Sequence, residues 1–317
     1  MASCGQFRWA VFAKLFFALI HRQMTINRRG AEPMDALYDV DEAQRQVRED
    51  EIHRAVRERY GKIAQDDGCG CGPSCGERQA ATPSVISVAL GYEPEDVETV
   101  PSGANMGLGC GNPQVIAGLA EGETVLDLGS GGGFDCFLAA RRVGAAGRVI
   151  GVDMTAEMIS KARANAASAD YHNVDFRLGE IENLPVADNS VDCIISNCVI
   201  NLSPNKPRVF SEAYRVLKPG GRIAVSDIVA TVLAPEEMRE NMELFTGCMA
   251  GASLVPEIEA MLAAEGFVAI RITPKSSSRT FISDWAPGTD VADYLVSANI
   301  EARKPELDVQ GTNPHHP

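Results

Sequence analysis

The stretch VLDLGSGGGFD, residues 125–135, decides the fold. Its apolar residues Val125, Leu126 and Leu128 predict a buried strand that runs directly into a glycine-rich turn, and a helix is predicted to begin behind that turn. Glycine lets the backbone turn tightly and lets a ligand approach amide groups that a Cβ would block. The helix N-terminus adds free N–H donors and a partial positive charge, which suit a carboxylate or a phosphate. The stretch therefore predicts a ligand-binding turn, and an ordinary strand–turn–helix is the alternative.

The spacing of the glycines separates two cofactor classes. A dinucleotide fingerprint requires Gly-x-Gly-x-x-Gly. Counted from Gly129 its third glycine falls on Phe134, and counted from Gly131 it falls on Cys136, so the fingerprint fails in both registers. The pattern present is Asp-x-Gly-x-Gly-x-Gly, beginning at Asp127, which resembles that of the S-adenosylmethionine (SAM) methyltransferases.

The next predicted strand, 148–153, supports a nucleoside-type cofactor. It ends in Asp153, which follows the last glycine of the turn, Gly133. An acid at this topological position accepts hydrogen bonds from ribose hydroxyls. Together, Asp127 and this acid favour a ligand-binding turn over an ordinary strand–turn–helix without a ligand.

The composition excludes several classes of partner. The chain has 317 residues, of which 45% are hydrophobic and 23% charged, enough for one large or two modest domains. Its net charge is −14 and its pI is about 4.9. We therefore expect no nucleic-acid partner and no anionic membrane surface, since both require a basic face.

Cysteine usage favours a reducing compartment. The chain holds nine cysteines, an odd number, and no convincing secretion signal. Thiols kept for chemistry or metal in the cytoplasm fit better than a disulfide scaffold. The apolar stretch 9–20 is too short to span a bilayer, so we expect a short interfacial helix or an upstream extension, with Met34 as the natural start.

From residue 124 onward, predicted strands and helices alternate. The strands are expected at 124–129, 148–153, 174–178, 191–197 and 222–228, and the helices at 133–143, 155–168 and 206–217. Such alternation predicts a parallel sheet with helices on both faces, whose ligands bind beyond the carboxyl ends of the strands. The expected fold class is α/β: a Rossmann-like class I SAM methyltransferase with a mostly parallel sheet, plus a small C-terminal α+β domain.

The organisation of the chain follows from these elements. A charged helix is expected at 35–66, and after residue 233 we expect helices at 236–248 and 256–265 and a strand at 267–273. The predicted regions are an N-terminal extension and helix (1–50), a helix with Cys-rich and Gly-rich loops (51–115), a SAM-binding domain (116–232), a metalloid-binding domain (233–305) and a disordered tail (306–317).

Two loops carry thiols upstream of the sheet. Cys69, Cys71 and Cys75 lie inside a Gly- and Pro-rich loop and span seven residues. The loop is interpreted as incidental, as half of a zinc site completed by Cys110, or as a reactive cluster. Their spacing lacks the paired Cys-x-x-Cys of common zinc sites. The second loop, 103–113, contains Cys110 and is expected to fold over the mouth of the cofactor site.

Three thiols on separate segments are expected to converge. Cys198 directly follows a strand at the cofactor edge, Cys248 lies in a turn of small residues, and Cys110 lies in the loop before the sheet. Three thiolates suit a soft, thiophilic ion such as As(III). Cys136 and Cys193, which fall inside a helix and a strand, are expected to be small buried hydrophobes instead.

Over residues 50–305 the sequence resembles the arsenite SAM methyltransferases. The resemblance is carried by 107–113, 125–133, 151–155, 196–202, 212–218 and 246–252. The glycine motif is shared by the whole methyltransferase superfamily, whereas the segments around Cys198 and Cys248 are much narrower signals. A departure is Gly247, where some family members have an acid.

The resemblance implies roles residue by residue. Cys198 and Cys248 match the family's two indispensable arsenic ligands, Cys110 matches its third thiol, and one of Cys69, Cys71 and Cys75 matches its N-terminal thiol. The residues expected at the cofactor are Asp127, Gly129, Ser130, Gly131, Gly133, Asp153, Met154, Glu180, Ile181 and Asn197.

The same resemblance implies a mechanism. Thiolates bind As(III) or its thiol conjugates, the arsenic lone pair takes the methyl group of SAM, and Cys110 with one clustered thiol reduces the product, renewed by thioredoxin or glutathione. The chain is expected to act as a cytoplasmic monomer. The alternatives are a methyltransferase for a small organic acceptor, which generally needs an acid or base near the methyl, and a thiol-rich metalloid- or zinc-binding protein without catalysis.

Overall fold

The computed structural model describes residues 35–65 and 82–306. By its internal contacts the chain divides into residues 1–50 and 51–317. The first unit is described only from residue 35, where the chain is helical and Arg45 forms an ion pair with Glu42 at 2.6 Å. The thiol cluster at 69–75, the stretch 9–20 and residues 307–317 of the expected tail lie outside the described residues.

The second unit is built on one seven-stranded sheet. Its strands are β1 (Thr124–Leu128), β2 (Arg148–Asp153), β3 (Val174–Leu178), β4 (Val191–Asn197), β5 (Leu217–Ala230), β6 (Val268–Lys275) and β7 (Leu295–Arg303). The spatial order is β3-β2-β1-β4-β5-β7-β6. Strands β1 to β5 are parallel, and β7 is antiparallel to both β5 and β6. The order reverses between β1 and β4, which is where open α/β sheets bind their ligands.

Helices cover this sheet and precede it. They are α1 (Asp35–Gln65), α2 (Pro83–Ala89), α3 (Pro94–Thr99), α4 (Gln114–Ala117), α5 (Phe134–Val143), α6 (Ala156–Ser168), α7 (Lys206–Val216), α8 (Glu236–Arg239), α9 (Met242–Thr246), α10 (Val255–Ala264), α11 (Arg279–Trp285) and α12 (Val291–Tyr294). Within the described residues, no helix is long and apolar enough to cross a bilayer.

Both faces of the central strands are buried, as a parallel sheet requires. Leu126 and Leu128 of β1 pack in one apolar cluster with Ile150, whereas Val125 packs on the opposite face with Ile195. The alternation of side chains along a strand explains this division, since neighbouring residues point to opposite faces. The predicted fold class is confirmed by this arrangement.

Two sequence-based expectations differ from the structure. Strand β5 begins at Leu217 rather than 222, because Leu217 pairs with Val191 and Lys218 binds the Asp192 carboxylate at 2.7 Å. The single helix predicted at 236–248 is wrong: it is broken into α8 and α9, since the Asn241 side chain accepts from Leu244 N at 3.0 Å and caps a new helix.

Residues 233–305, whose assignment to a metalloid-binding domain stays a prediction, contribute two strands to the central sheet. Strands β6 and β7 of this region join the same sheet as β1–β5. The long register between β5 and β7 runs from Arg222 opposite Arg303 to Ala230 opposite Leu295, so this region extends the sheet that carries the glycine turn.

The turn after α9 packs unusually closely on the segment after β4. A Cβ built on Gly251 would lie 2.0 Å from the Asn201 carbonyl oxygen. The backbone of Asn201 belongs to a short 3₁₀ turn, Ile200–Leu202. Only glycine permits this approach, which brings the turns that carry Cys248 and Cys198 together.

We predict that Gly251→Ala destabilises the protein by about 1–3 kcal/mol, because the added methyl overpacks a rigid backbone contact. The matched control is Gly61→Ala in α1, where a Cβ would meet nothing closer than 3.4 Å. That change is expected to stabilise by roughly 0.5–1 kcal/mol through helix propensity. Urea denaturation measures both free energies of unfolding. Equal values for Gly251→Ala and the parent would contradict the close contact between Gly251 and the Asn201 backbone.

Candidate active site

The glycine turn lies at the carboxyl end of β1 and approaches the segment after β4. Gly129, Gly131 and Gly133 all have positive φ, at 74°, 50° and 95°. A Cβ on Gly129 would lie 2.4 Å from a methyl group of Val199. Glycine is therefore required at this position both by conformation and by space.

Asp153 joins the glycine turn to the end of β2. Its carboxylate accepts hydrogen bonds from Gly131 N at 3.0 Å and from Thr155 N at 2.8 Å. Burial raises the pKa of this carboxyl group, while the two backbone donors favour its charged form. The side chain is therefore fixed at the edge of the sheet, where the sequence predicted an acceptor for ribose hydroxyls.

A buried polar atom without a partner marks this turn as a ligand site. Ser130 is 6% exposed, and its Oγ makes no hydrogen bond to any described residue. Buried hydroxyls are normally satisfied, so an orphaned one beside free helix N–H groups indicates a missing ligand. The Nδ2 atom of Asn105, in the loop that covers the turn, is orphaned in the same way. These residues fit a nucleoside cofactor with a charged amino-acid end.

The loop 103–113 folds over the turn as predicted. A Cβ on Gly132 would lie 3.0 Å from the Ala104 carbonyl oxygen and 3.3 Å from the Met106 methyl group. This contact covers one side of the glycine turn. It also brings the far end of the same loop, which carries Cys110, towards β4.

The other expected cofactor residues have diverse environments. Asp127 is buried within β1 and accepts a hydrogen bond from the Cys136 thiol at 3.2 Å. Burial raises the pKa of the Asp127 carboxyl group well above the usual range. Glu180 is ion-paired with Arg57 of α1, just beyond the end of β3. Ile181 is buried in the core, and the partly buried Met154 packs against the apolar cluster that includes the three thiols.

Asn197 faces the thiol loop. Its carboxamide oxygen accepts from Cys110 N at 3.0 Å, and its Nδ2 donates to Gly111 O at 2.8 Å and to the Tyr92 hydroxyl at 3.0 Å. The Tyr92 hydroxyl in turn donates to the Asp135 carboxylate at 2.9 Å, in the first turn of α5. One hydrogen-bond chain therefore joins the helix behind the glycine turn to the backbone of Cys110.

The three thiols expected to converge lie in one buried apolar cluster. Cys110, Cys198 and Cys248 are 1%, 8% and 4% exposed. The Sγ atoms of Cys110 and Cys198 lie within 4.8 Å of each other, and the Cys248 thiol donates to the Cys198 carbonyl at 2.7 Å. Hydrogen bonds among these thiols, together with burial, raise the pKa of Cys198 well above the usual range, and burial raises that of Cys110. This environment therefore favours the neutral form of the Cys110 and Cys198 thiols.

Two of these cysteines have strained backbones. The φ angle is +60° at Cys198 and +65° at Cys248, a region that residues with a Cβ rarely adopt. Such outliers cost of order 1–3 kcal/mol each and cluster at functional sites. Cys198 follows β4 and Cys248 lies in the turn after α9, and the Cys248 thiol reaches the Cys198 carbonyl oxygen.

Asn201 and Asp227 hold this pair of turns, and the sequence analysis missed both. Asn201 Nδ2 donates to the Asp227 carboxylate at 3.0 Å, to Ile228 O at 2.6 Å and to Cys248 O at 3.4 Å. The Asp227 carboxylate also accepts from Ile200 N at 2.9 Å. A lone acid inside the apolar run 223–230 was the available signal.

Helix α1 covers the site from residues far upstream. The Tyr60 hydroxyl lies 3.8 Å from the Cys248 Sγ, and Arg59 donates to the Thr246 hydroxyl at 3.0 Å. Nearby in the same helix, the His53 ring lies 3.2 Å from the Glu182 carboxylate, which raises the His53 pKa.

Cys136 and Cys193 are fully buried, as predicted for structural cysteines. Cys69, Cys71 and Cys75 lie outside the described residues, so their expected role stays a prediction.

Comparison with known proteins identifies relatives over most of the chain. A family model described as a methyltransferase domain matches residues 119–269. An arsenite methyltransferase of Halobacterium salinarum is 55% identical over 82% of this chain and 68% of its own length. An arsenite methyltransferase of Aquipseudomonas alcaligenes is 39% identical over 70% of this chain, which spans 63% of that protein.

A solved structure agrees with these relatives. The crystal structure of an arsenic(III) S-adenosylmethionine methyltransferase from Chlamydomonas reinhardtii aligns with a TM-score of 0.52 at 34% identity, covering 73% of this chain and 76% of that one.

We predict that Asn201→Ala accelerates alkylation of Cys198 and Cys248 by iodoacetamide about tenfold, because losing a buried hydrogen-bond donor costs about 1–3 kcal/mol and frees both turns. Peptide mass spectrometry at fixed pH measures the rates. The control is Asn173→Ala, whose carboxamide also donates to two carbonyls, of Ala140 and Gly144, but away from the thiols. Equal acceleration in the two variants would contradict a local clamp.

Proposed function

Because the chain belongs to the arsenite methyltransferase family, a family of SAM-dependent enzymes, we propose that it methylates As(III) held by Cys110, Cys198 and Cys248. The observation that carries the proposal is that three buried thiols from separate segments lie in one cluster. The Cys110 and Cys198 Sγ atoms are within 4.8 Å of each other, and the Cys248 thiol binds the Cys198 carbonyl oxygen. Thiolate sulfur is the ligand type that a soft, thiophilic ion prefers.

The neutral form that the site favours for the Cys110 and Cys198 thiols suits this substrate. Arsenous acid, As(OH)₃, exchanges its three hydroxyls for three thiols and releases three waters, each formed from one hydroxyl and one thiol proton. The product As(SR)₃ is neutral, so no net charge is created in a buried site, where charge is costly. Glutathione conjugates of As(III) exchange in the same way, with glutathione thiol as the leaving group.

The residues proposed to hold SAM are those around the orphaned Ser130 hydroxyl. The amides of the glycine turn and the N-terminus of α5 suit its carboxylate end, and Asp153 suits the ribose hydroxyls. SAM supplies an electrophilic methyl group. The arsenic lone pair carries no proton, so no general base is required, and the contribution of the chain is to hold acceptor and donor in near-attack geometry.

Methylation converts As(III) formally to As(V), so a further round requires two electrons. We propose that Cys110 and one of Cys69, Cys71 and Cys75 supply them by forming a disulfide, which thioredoxin or glutathione then reduces. This chemistry requires a reducing compartment, so we propose a cytoplasmic enzyme that acts as a monomer.

We predict that Cys198→Ser and Cys248→Ser each lower methylarsenical formation on the order of a hundredfold, since the acceptor loses its position. SAM affinity, measured by calorimetry, is expected to stay unchanged. Cys193→Ala is the control, because it removes a thiol that is buried in β4 away from the site. Undiminished turnover of Cys198→Ser would refute the ligand role.

The redox proposal has a separate test. A chain with Cys69→Ser, Cys71→Ser and Cys75→Ser is expected to complete one methylation per enzyme but to stop before further rounds when thioredoxin is the only reductant. Arsenic speciation after single and multiple turnovers measures this. Full multiple turnover in this variant would contradict a role for the cluster.

A further inference from the structure

The thiol site also contains a carboxylate that the arsenic reaction does not use. The Sγ atoms of Cys110 and Cys198 and a carboxylate oxygen of Asp227 all lie within 4.8 Å of one another, and all three residues are buried. Three thiols already complete the ligand set proposed for As(III). Asp227, which also holds the two turns, therefore brings to this site an oxygen that the arsenic reaction does not use.

Asp227 is held like a metal-binding carboxylate. One oxygen accepts from Ile200 N at 2.9 Å, and the other accepts from Ile228 N at 2.8 Å and Asn201 Nδ2 at 3.0 Å. Carboxylates that bind metals are commonly oriented by hydrogen bonds of this kind. A carboxylate has about four lone-pair positions, so about one remains for a further partner.

The donor set of Cys110, Cys198 and Asp227 differs in chemistry from the three thiolates proposed to bind As(III). Two thiolates and one carboxylate suit a divalent d¹⁰ ion, which binds sulfur and oxygen in tetrahedral geometry and accepts water as its fourth ligand. As(III), by contrast, carries a lone pair and needs only three sulfurs. A carboxylate beside two thiols thus adds affinity for a dication without completing an arsenic site.

We propose that Cys110, Cys198 and Asp227 form a binding site for a thiophilic divalent cation, Cd²⁺ or Zn²⁺, which overlaps the arsenic site and excludes arsenic when occupied. Binding displaces two thiol protons to solvent. The dication then faces two thiolates and one carboxylate, so the centre carries one net negative charge. This proposal goes beyond the methyl-transfer reaction and does not depend on it.

The test is a titration of the full chain with Cd²⁺ alone, followed by the ultraviolet thiolate-to-cadmium charge-transfer band. All chains carry Cys4→Ser, Cys69→Ser, Cys71→Ser and Cys75→Ser, so that those thiols do not contribute. Cys198→Ser is expected to abolish binding. Asp227→Asn, which keeps the shape of the side chain, is expected to weaken Cd²⁺ binding about tenfold or more, because changes even to outer-shell groups of a metal site cost about 10–100-fold in affinity.

Cys248→Ser makes the test independent of how well Asp227→Asn folds. It removes an arsenic ligand but none of the three cation ligands, so Cd²⁺ affinity is expected to change little while As(III) binding falls. Equal losses of Cd²⁺ affinity in Cys248→Ser and Cys198→Ser would overturn the proposal, as would unchanged affinity in folded Asp227→Asn. Failure of arsenic methylation would leave the Cd²⁺ titration unaffected, so the two proposals fail separately.

Discussion

The left-handed backbone of two cysteines is the constraint on which the rest of the site depends. Cys198 and Cys248 each adopt a positive φ that a side chain with a Cβ disfavours. The cost is offset by buried hydrogen bonds, since the Cys248 thiol donates to the Cys198 carbonyl and Asn201 donates to the Cys248 carbonyl. Without these bonds, neither turn would hold its thiol towards the other.

The sheet supplies the frame in which this constraint operates. Cys198 follows β4 directly, and β4 lies beside β1, whose end is the glycine turn. A strand end positions a side chain more firmly than a loop does, because both neighbours are hydrogen-bonded along their length. The Cys248 turn has no such support, and it reaches the same place through the backbone approach of Gly251 to Asn201.

A second network couples the two halves of the site. Asp135 at the start of α5, Tyr92 and Asn197 form one chain of hydrogen bonds that ends on the backbone of Cys110. Such buried networks stiffen what they connect when every member is satisfied. The N-terminus of α5 and the loop that carries Cys110 are therefore parts of one rigid unit, which suits the proposed reaction, because that reaction depends on positioning rather than on proton transfer.

The sequence by itself determined the parallel sheet, the glycine turn and the identity of three converging thiols. Local patterns carry these features: apolar strands of fixed period, glycines that a turn requires, and cysteines at strand and turn ends. Only the tertiary structure decided the partners of those thiols. Tyr60 comes from a distant helix and Asp227 from β5, and no local pattern encodes that they face the thiols. Their contacts arise when separate elements pack together, and that packing depends on side-chain shape across the whole core.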